Sequence, residues 1–153
     1  MNPISKKEIL DTLRTLDVAP GDLVFCHTSL RSFGAPLENG AKGLIEALLE
    51  AVSPGGAVAA PTHGRPPSDG PFDPATAPMW DAMGGFPRAL LAWPGARRSL
   101  HPTHSDVAAG ERSPSACSRS AMPLSTKARF TLMPVSRVKA STRGWISSGW
   151  RWE

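Results

Sequence analysis

The chain has 153 residues, 41% of them hydrophobic, and a formal net charge of +4. That length suits one domain with a real core, and no apolar run approaches the ~20 residues of a membrane span. The charge is uneven: residues 1–110 carry nine Lys+Arg against eleven Asp+Glu, and residues 111–153 carry eight against two. The basic pI therefore belongs to the tail, which either meets a polyanion or stands outside the design of the domain.

No signal-peptide apolar region opens the chain, because Ser5 to Leu16 mixes charged and apolar residues. Cys26 and Cys117 have neither disulfide-framework nor metal spacing. A cytoplasmic protein with free thiols and no membrane partner follows as the simplest expectation.

In chain order, "SKKEILDTLRTL" (Ser5–Leu16) predicts a helix. Ser5 and Glu8 have capping-box spacing, and Ile9, Leu13 and Leu16 share a face. "VAPGD" (Val18–Asp22) is a turn, and "LVFCH" (Leu23–His27) is a short buried strand. "GAKGLIEALLEAV" (Gly40–Val52) is the clearest helix, with Ala41, Leu44, Ile45, Leu48, Leu49 and Val52 on one face. Asn39 supplies its expected N-cap and "SPGG" its stop. "AVAAP" (Ala57–Pro61) follows as a strand, so strand–helix–strand predicts a parallel pair. Thr62 to Pro78 is a long polar loop. "FPRALLAWPG" (Phe86–Gly95) is a short helix with Pro87 in its first turn and Phe86, Leu90 and Trp93 on one face. "RSLH" and "DVAAG" are candidate short strands. The fold class is α/β: a partial sheet with flanking helices, followed by an irregular or disordered basic tail.

Four histidines are present: His27, His63, His101 and His104. His27 closes the first strand, and ligands of open parallel sheets sit beyond the carboxyl ends of strands. Backbone N–H groups there, with the Thr28 and Ser29 hydroxyls and Arg31, can hold a phosphate. An ordinary strand-end turn explains the same residues. "SLHPTHS" (Ser99–Ser105) packs two histidines and three hydroxyls into one loop, suited to a base, a metal ligand or a hydrogen-bonding fixture. His-x-x-His alone is weak evidence for zinc, which needs a third ligand. Asp73 in "GPFDPATAP" either meets a cation or closes an Asx turn before Pro74, the second being favoured by spacing. Arg97 and Arg98 either reach phosphates or form a solvated pair.

Four segments taken together, "GDLVFCHTSLRSFG", "GAKGLIEALLEAVSPGGAVAAPT", "GPFDPATAP" and "PGARRSLHPTHS", resemble the aminoglycoside 3-N-acetyltransferase family of the antibiotic N-acetyltransferase type. The resemblance runs from Ile4 to Gly110. It implies an α/β sheet core and acetyl transfer from acetyl-coenzyme A to the 3-amino group of 2-deoxystreptamine antibiotics. It places His27, Thr28, Ser29, Leu30 and Arg31, with Ser99, His101 and Ser105, along the coenzyme A site. It places Asp73 on the substrate side, and His104 as the candidate catalytic residue. The family's second half, with its main catalytic histidine and carboxylates, has no counterpart after Gly110 in this reading.

Residues 1–110 are therefore expected to be the N-terminal part of such a domain, and 111–153 an unmatched tail. The tail is rich in Ser, Arg and Trp and holds no Asp, Asn, Gln or His. That composition suits a coding sequence read in another frame. A shortened family member with little or no acetyltransferase activity of its own is the resulting expectation. DNA downstream of the His104 codon, translated in all frames, tests it. Two rivals rank lower. One is a non-enzymatic protein whose tail, with Trp145, Trp150 and Trp152, binds nucleic acid or an acidic partner. The other is a zinc-dependent hydrolase using the four histidines.

Overall fold

The computed structural model describes residues 2–65, 68 and 70–113, together with the backbone of residues 129–130. Helix α1 (Lys6–Thr15) begins at the predicted capping box. The Glu8 N–H donates to Ser5 Oγ at 3.3 Å, and the Ser5 N–H donates to Glu8 Oε2 at 2.8 Å. Ile9 and Leu13 bury the apolar face. Removing one cap partner should tell: Ser5→Ala is expected to cost about 1 kcal/mol in urea unfolding.

Strand β1 (Leu23–Phe25), helix α2 (Gly40–Val52) and strand β2 (Ala57–Pro61) follow. The two strands pair in parallel from Leu23↔Ala57 to Phe25↔Ala59, as the strand–helix–strand order predicts. Asn39 does occupy the N-cap of α2, but without a capping side-chain bond. Its φ of 59° is left-handed, whereas a capping side chain acts from extended backbone. Asparagine tolerates that conformation better than most residues.

Helix α3 (Gly85–Leu91) ends before Trp93, so Trp93 packs half-buried against the core from the turn beyond the helix. Strand β3 is Arg97–Arg98 and strand β4 is Asp106–Gly110. Of the predicted "RSLH" strand only Arg98 is in β3. Ser99 turns the chain, its N–H donating to the Asp106 carbonyl at 2.8 Å while its Oγ accepts the Asp106 N–H at 2.9 Å. β4 runs antiparallel to β2 from Ala57↔Gly110 to Pro61↔Asp106. A two-residue strand β5 (Arg129–Phe130) lies in parallel on the outer edge of β1. It falls within the tail, where no element is predicted from sequence. The strand order is β3-β4-β2-β1-β5.

One sheet face, carrying Val24, Val58, Ala60, Val107 and Ala109, packs with Leu13, Leu44, Ile45, Leu48, Phe86 and Leu90 from the three helices. Leu23, Ala57, Ala59 and Ala108 form a separate small cluster, as expected for side chains alternating across a sheet. Burying apolar groups at about 25 cal/mol per Å² favours this layering over isolated helices. Among the described residues, no helix is long and apolar enough to cross a membrane. Cys117, Trp145, Trp150 and Trp152 lie outside the described residues.

Candidate functional site

Parallel pairing puts the carboxyl ends of β1 and β2 at one edge of the sheet. Because β4 is antiparallel, the loop entering it arrives at that same edge. His27 follows β1, His63 follows β2, and His101 and His104 precede β4. Topology, rather than sequence spacing, therefore gathers the histidines.

The His63 and His104 rings lie 4.9 Å apart between centroids, and His101 and His104 lie 5.5 Å apart, edge to face. His27 packs its ring on Phe25 at 5.2 Å. Partial burial holds His63 below its ordinary pKa, and the charges of His104, His27 and His101 push the same way. His63 is thus biased toward the neutral imidazole, a form able to accept a proton.

The loop fixes its own histidines. His101 Nδ1 accepts the His104 N–H at 3.0 Å and the Thr103 N–H at 3.3 Å. A neutral His101 therefore carries its proton on Nε2. Thr103 Oγ1 lies 2.8 Å from His104 Nδ1. Both His101 and His104 remain exposed.

Other predicted site residues divide into exposed and structural ones. After His27 the chain makes a 3₁₀ turn over Leu30–Phe33, anchored by buried Phe33. Ser29 and Arg31 are exposed, and Thr28 is half-buried. Leu30 instead packs against the core. Ser99 uses its Oγ to close the loop onto Asp106. Ser105 is fully buried. Its Oγ donates to the Thr62 carbonyl at 2.9 Å and accepts from Arg98 Nε at 2.9 Å. Ser99 and Ser105 therefore support the loop from behind.

Asp73 sits apart on the polar loop and forms the Asx turn favoured by its spacing. It accepts the Ala75 N–H and the Thr76 hydroxyl, each at 2.9 Å. The Ala75 bond, seconded by Thr76, lowers its pKa. An exposed anion results.

Arg98 is neither a phosphate-facing cation nor half of a solvated pair. Its guanidinium is partly buried, spanning Ser105, Thr62 and Ala77. Gly64 permits the close packing nearby, since a Cβ there would collide with the Pro78 carbonyl oxygen. The site implied by the resemblance left out His63, and the sequence did not show the Arg98 fork. The signal for His63 was its position directly after a parallel strand, the same place as His27.

Among the described residues, no group of three or more His, Cys, Asp and Glu side chains is arranged to hold a metal ion. The geometry thus gives the zinc-hydrolase reading no support. Cys26 is buried, and desolvation lifts its thiol to about 12, so it is no nucleophile. A hollow of about 390 Å³ lies at the opposite end of the sheet, near Gly56, Trp93, Gly110 and Glu111. Among the described residues, Glu111 is its only ionisable lining residue.

The sequence profile of the aminoglycoside 3-N-acetyltransferase family matches residues 25–128, past Gly110, where the resemblance read from sequence ends. Aminoglycoside N(3)-acetyltransferase IV of Salmonella sp is 41% identical over 97 residues, 63% of this chain and 36% of that protein. The type III enzyme of Enterobacter cloacae is 37% identical over 123 residues, 69% of this chain and 43% of that protein. A type IVa aminoglycoside acetyltransferase solved with apramycin is 37% identical with a TM-score of 0.67, covering 77% of this chain and 48% of that one. A sisomicin-bound type VIa enzyme gives 34% identity and a TM-score of 0.68, covering 76% of this chain and 50% of that one. The chain spans less than half the length of these curated relatives. The family profile spans all four histidines and more than half of the chain: the chain belongs to the aminoglycoside 3-N-acetyltransferase family.

Proposed function

We propose that this chain provides the acyl-donor side of an aminoglycoside 3-N-acetyltransferase site, with acetyl-coenzyme A as the donor. The gathering of His27, His63, His101 and His104 at the carboxyl edge of β1 and β2 carries the reading. The turn from His27 to Arg31 and the loop from Ser99 to Ser105 flank the donor. Coenzyme A supplies the thioester. Arg31 meets its phosphates by charge-assisted hydrogen bonding, and His101 offers its Nε2–H as a donor. Ser99 and Ser105 hold the loop in place.

The acceptor is a neutral amine of a polycationic sugar. Its nitrogen attacks the thioester carbonyl, the C–S bond breaks, coenzyme A leaves as a thiolate, and the amine proton passes to a base. His104 takes that role here, with Nδ1 bonded to Thr103 and Nε2 left for the proton. A positioned base contributes about 10²–10⁴ in rate. Asp73 offers an ionised carboxylate to an ammonium group of the acceptor, supported by the lowered pKa and exposure of its turn.

Calorimetric titration of the purified chain with coenzyme A tests the donor side. Saturable binding is expected, with Arg31→Ala weakening it about tenfold, the scale of one hydrogen bond to a charged group. Equal affinity in both proteins, or no binding to the parent, defeats the reading. Acetylation of a gentamicin-type drug, followed by thiol release, tests the acceptor side. His104→Gln is expected to reduce any measured turnover by about 10²-fold or more.

A further inference from the structure

One guanidinium joins three segments around the site. Arg98 Nε donates to Ser105 Oγ at 2.9 Å, directly after the histidine loop. Nη2 donates to the Thr62 carbonyl at 2.8 Å, directly before His63. Nη1 donates to the Ala77 carbonyl, at the end of the Asp73 turn. The Phe72 ring lies beneath the same group, its centroid 5.4 Å from Arg98 Cζ. Asp73 therefore stands between two attachments to one side chain. Its turn is closed locally by the Ala77 N–H donating to the Asp73 carbonyl at 2.8 Å.

We propose that Arg98 is a positioning residue that holds the Asp73 turn at a fixed spacing from the histidine edge. Naming the two sides donor and acceptor rests on the proposed function; the clamp itself does not. Three features carry the inference. Its three hydrogen bonds to Ser105, Ala77 and Thr62 all go to neutral oxygens, so the fork is spent on geometry rather than on charge pairing. The acceptors come from segments far apart in sequence, so no local turn can substitute. Ser105 and Thr62 are both fully buried, and they bond each other through Thr62 Oγ1 to the Ser105 carbonyl at 3.0 Å. That rigid base leaves the Ala77 and Phe72 contacts as the adjustable end. A lysine cannot copy this, because an ammonium lacks the planar fork that spans three acceptors.

Hydrogen exchange on the full chain, with imidazole NMR, tests the proposal. Two amides report the clamp: Ala77 in the Asp73 turn and Trp80 bonded to the His63 carbonyl. In Arg98→Lys and Arg98→Ala, exchange at Ala77 and Trp80 is expected to rise about tenfold or more, while the amides of α2 keep their protection. The His63 and His104 ring signals move in both variants. Millimolar guanidinium restores the signals and the protection in Arg98→Ala. Three results overturn the clamp: unchanged exchange at Ala77 and Trp80, a loss of protection that α2 shares, or full protection in Arg98→Lys. Coenzyme A titration of the parent chain is run beside it. Failure to bind defeats the donor assignment and leaves the exchange result to decide Arg98.

Discussion

Phe86→Ala is expected to destabilise the chain by about 3–5 kcal/mol, the usual cost of emptying a buried aromatic site. Phe86 is fully buried and, among the described residues, is the largest of the fully buried side chains. It belongs to α3, which packs on β2 and β4. Those strands carry His63 at one exit and the His101–His104 loop at one entry. A cavity beneath them loosens the strands that set the histidine spacing. Typical domains are stable by only about 5–15 kcal/mol, so the variant is left near its threshold. Urea unfolding followed by circular dichroism gives the midpoint. Leu100→Ala is the contrast. Leu100 is 58% exposed, and its loss is expected to shift stability by no more than about 0.5 kcal/mol. Equal costs for the two would mean that Phe86 is not a support of the sheet.

The fold was legible where burial has a period. Gly40–Val52 shows six apolar residues at helical spacing, and α2 occupies those residues. Ala57–Pro61 and Asp106–Gly110 are short apolar runs closed by turn residues, and both are strands. Ser5 and Glu8 state their capping box locally, in four residues. Where the result depends on partners distant in sequence, these rules fall silent. "RSLH" looks extended, yet β3 stops at Arg98 because Ser99 bonds back to Asp106. Asn39 has the right identity for a cap and the wrong φ. The two residues of β5 carry no periodicity, and only the open edge of β1 gives them a partner.

The site divides in the same way. Strand-end position pointed to His27 and loop composition to His101 and His104, and all three stand at one edge. Spacing also favoured a turn at Asp73, which Ala75 and Thr76 complete. His63 joins that edge only because β2 lies beside β1 and β4. The resemblance places Ser105 along the coenzyme A site, and in the fold its hydroxyl bonds the Thr62 carbonyl and Arg98 Nε. Arg98 read as a surface cation: nothing near it in sequence shows that its acceptors are the carbonyls of residues 62 and 77. Polar residues at the end of a sheet bind ligands or bind the fold, and only the partners distinguish the two.

Asp106→Asn should raise stability at pH 8 by up to about 3 kcal/mol, and by nothing at pH 3. Burial lifts the Asp106 carboxyl from 3.8 to about 6. Between those values the native chain binds more proton than the unfolded chain, so its stability falls as pH rises through that window. Above it both states are ionised, and the native state bears the full desolvation cost. Below 3.8 both are protonated and the cost vanishes. His63 acts with the opposite sign: its lowered pKa means that stability is lost as pH falls below the ordinary histidine value. Both proteins retain His63, so its contribution cancels when their unfolding free energies are subtracted at each pH. The difference should therefore rise once, between pH 4 and 6, and then stay level. A flat difference across that range would show an ordinary carboxyl at Asp106. Its position sharpens the test, since Asp106 bonds Ser99 through its own N–H and carbonyl. Those bonds survive replacement of the side chain, so the loop keeps its closure while the buried charge is removed.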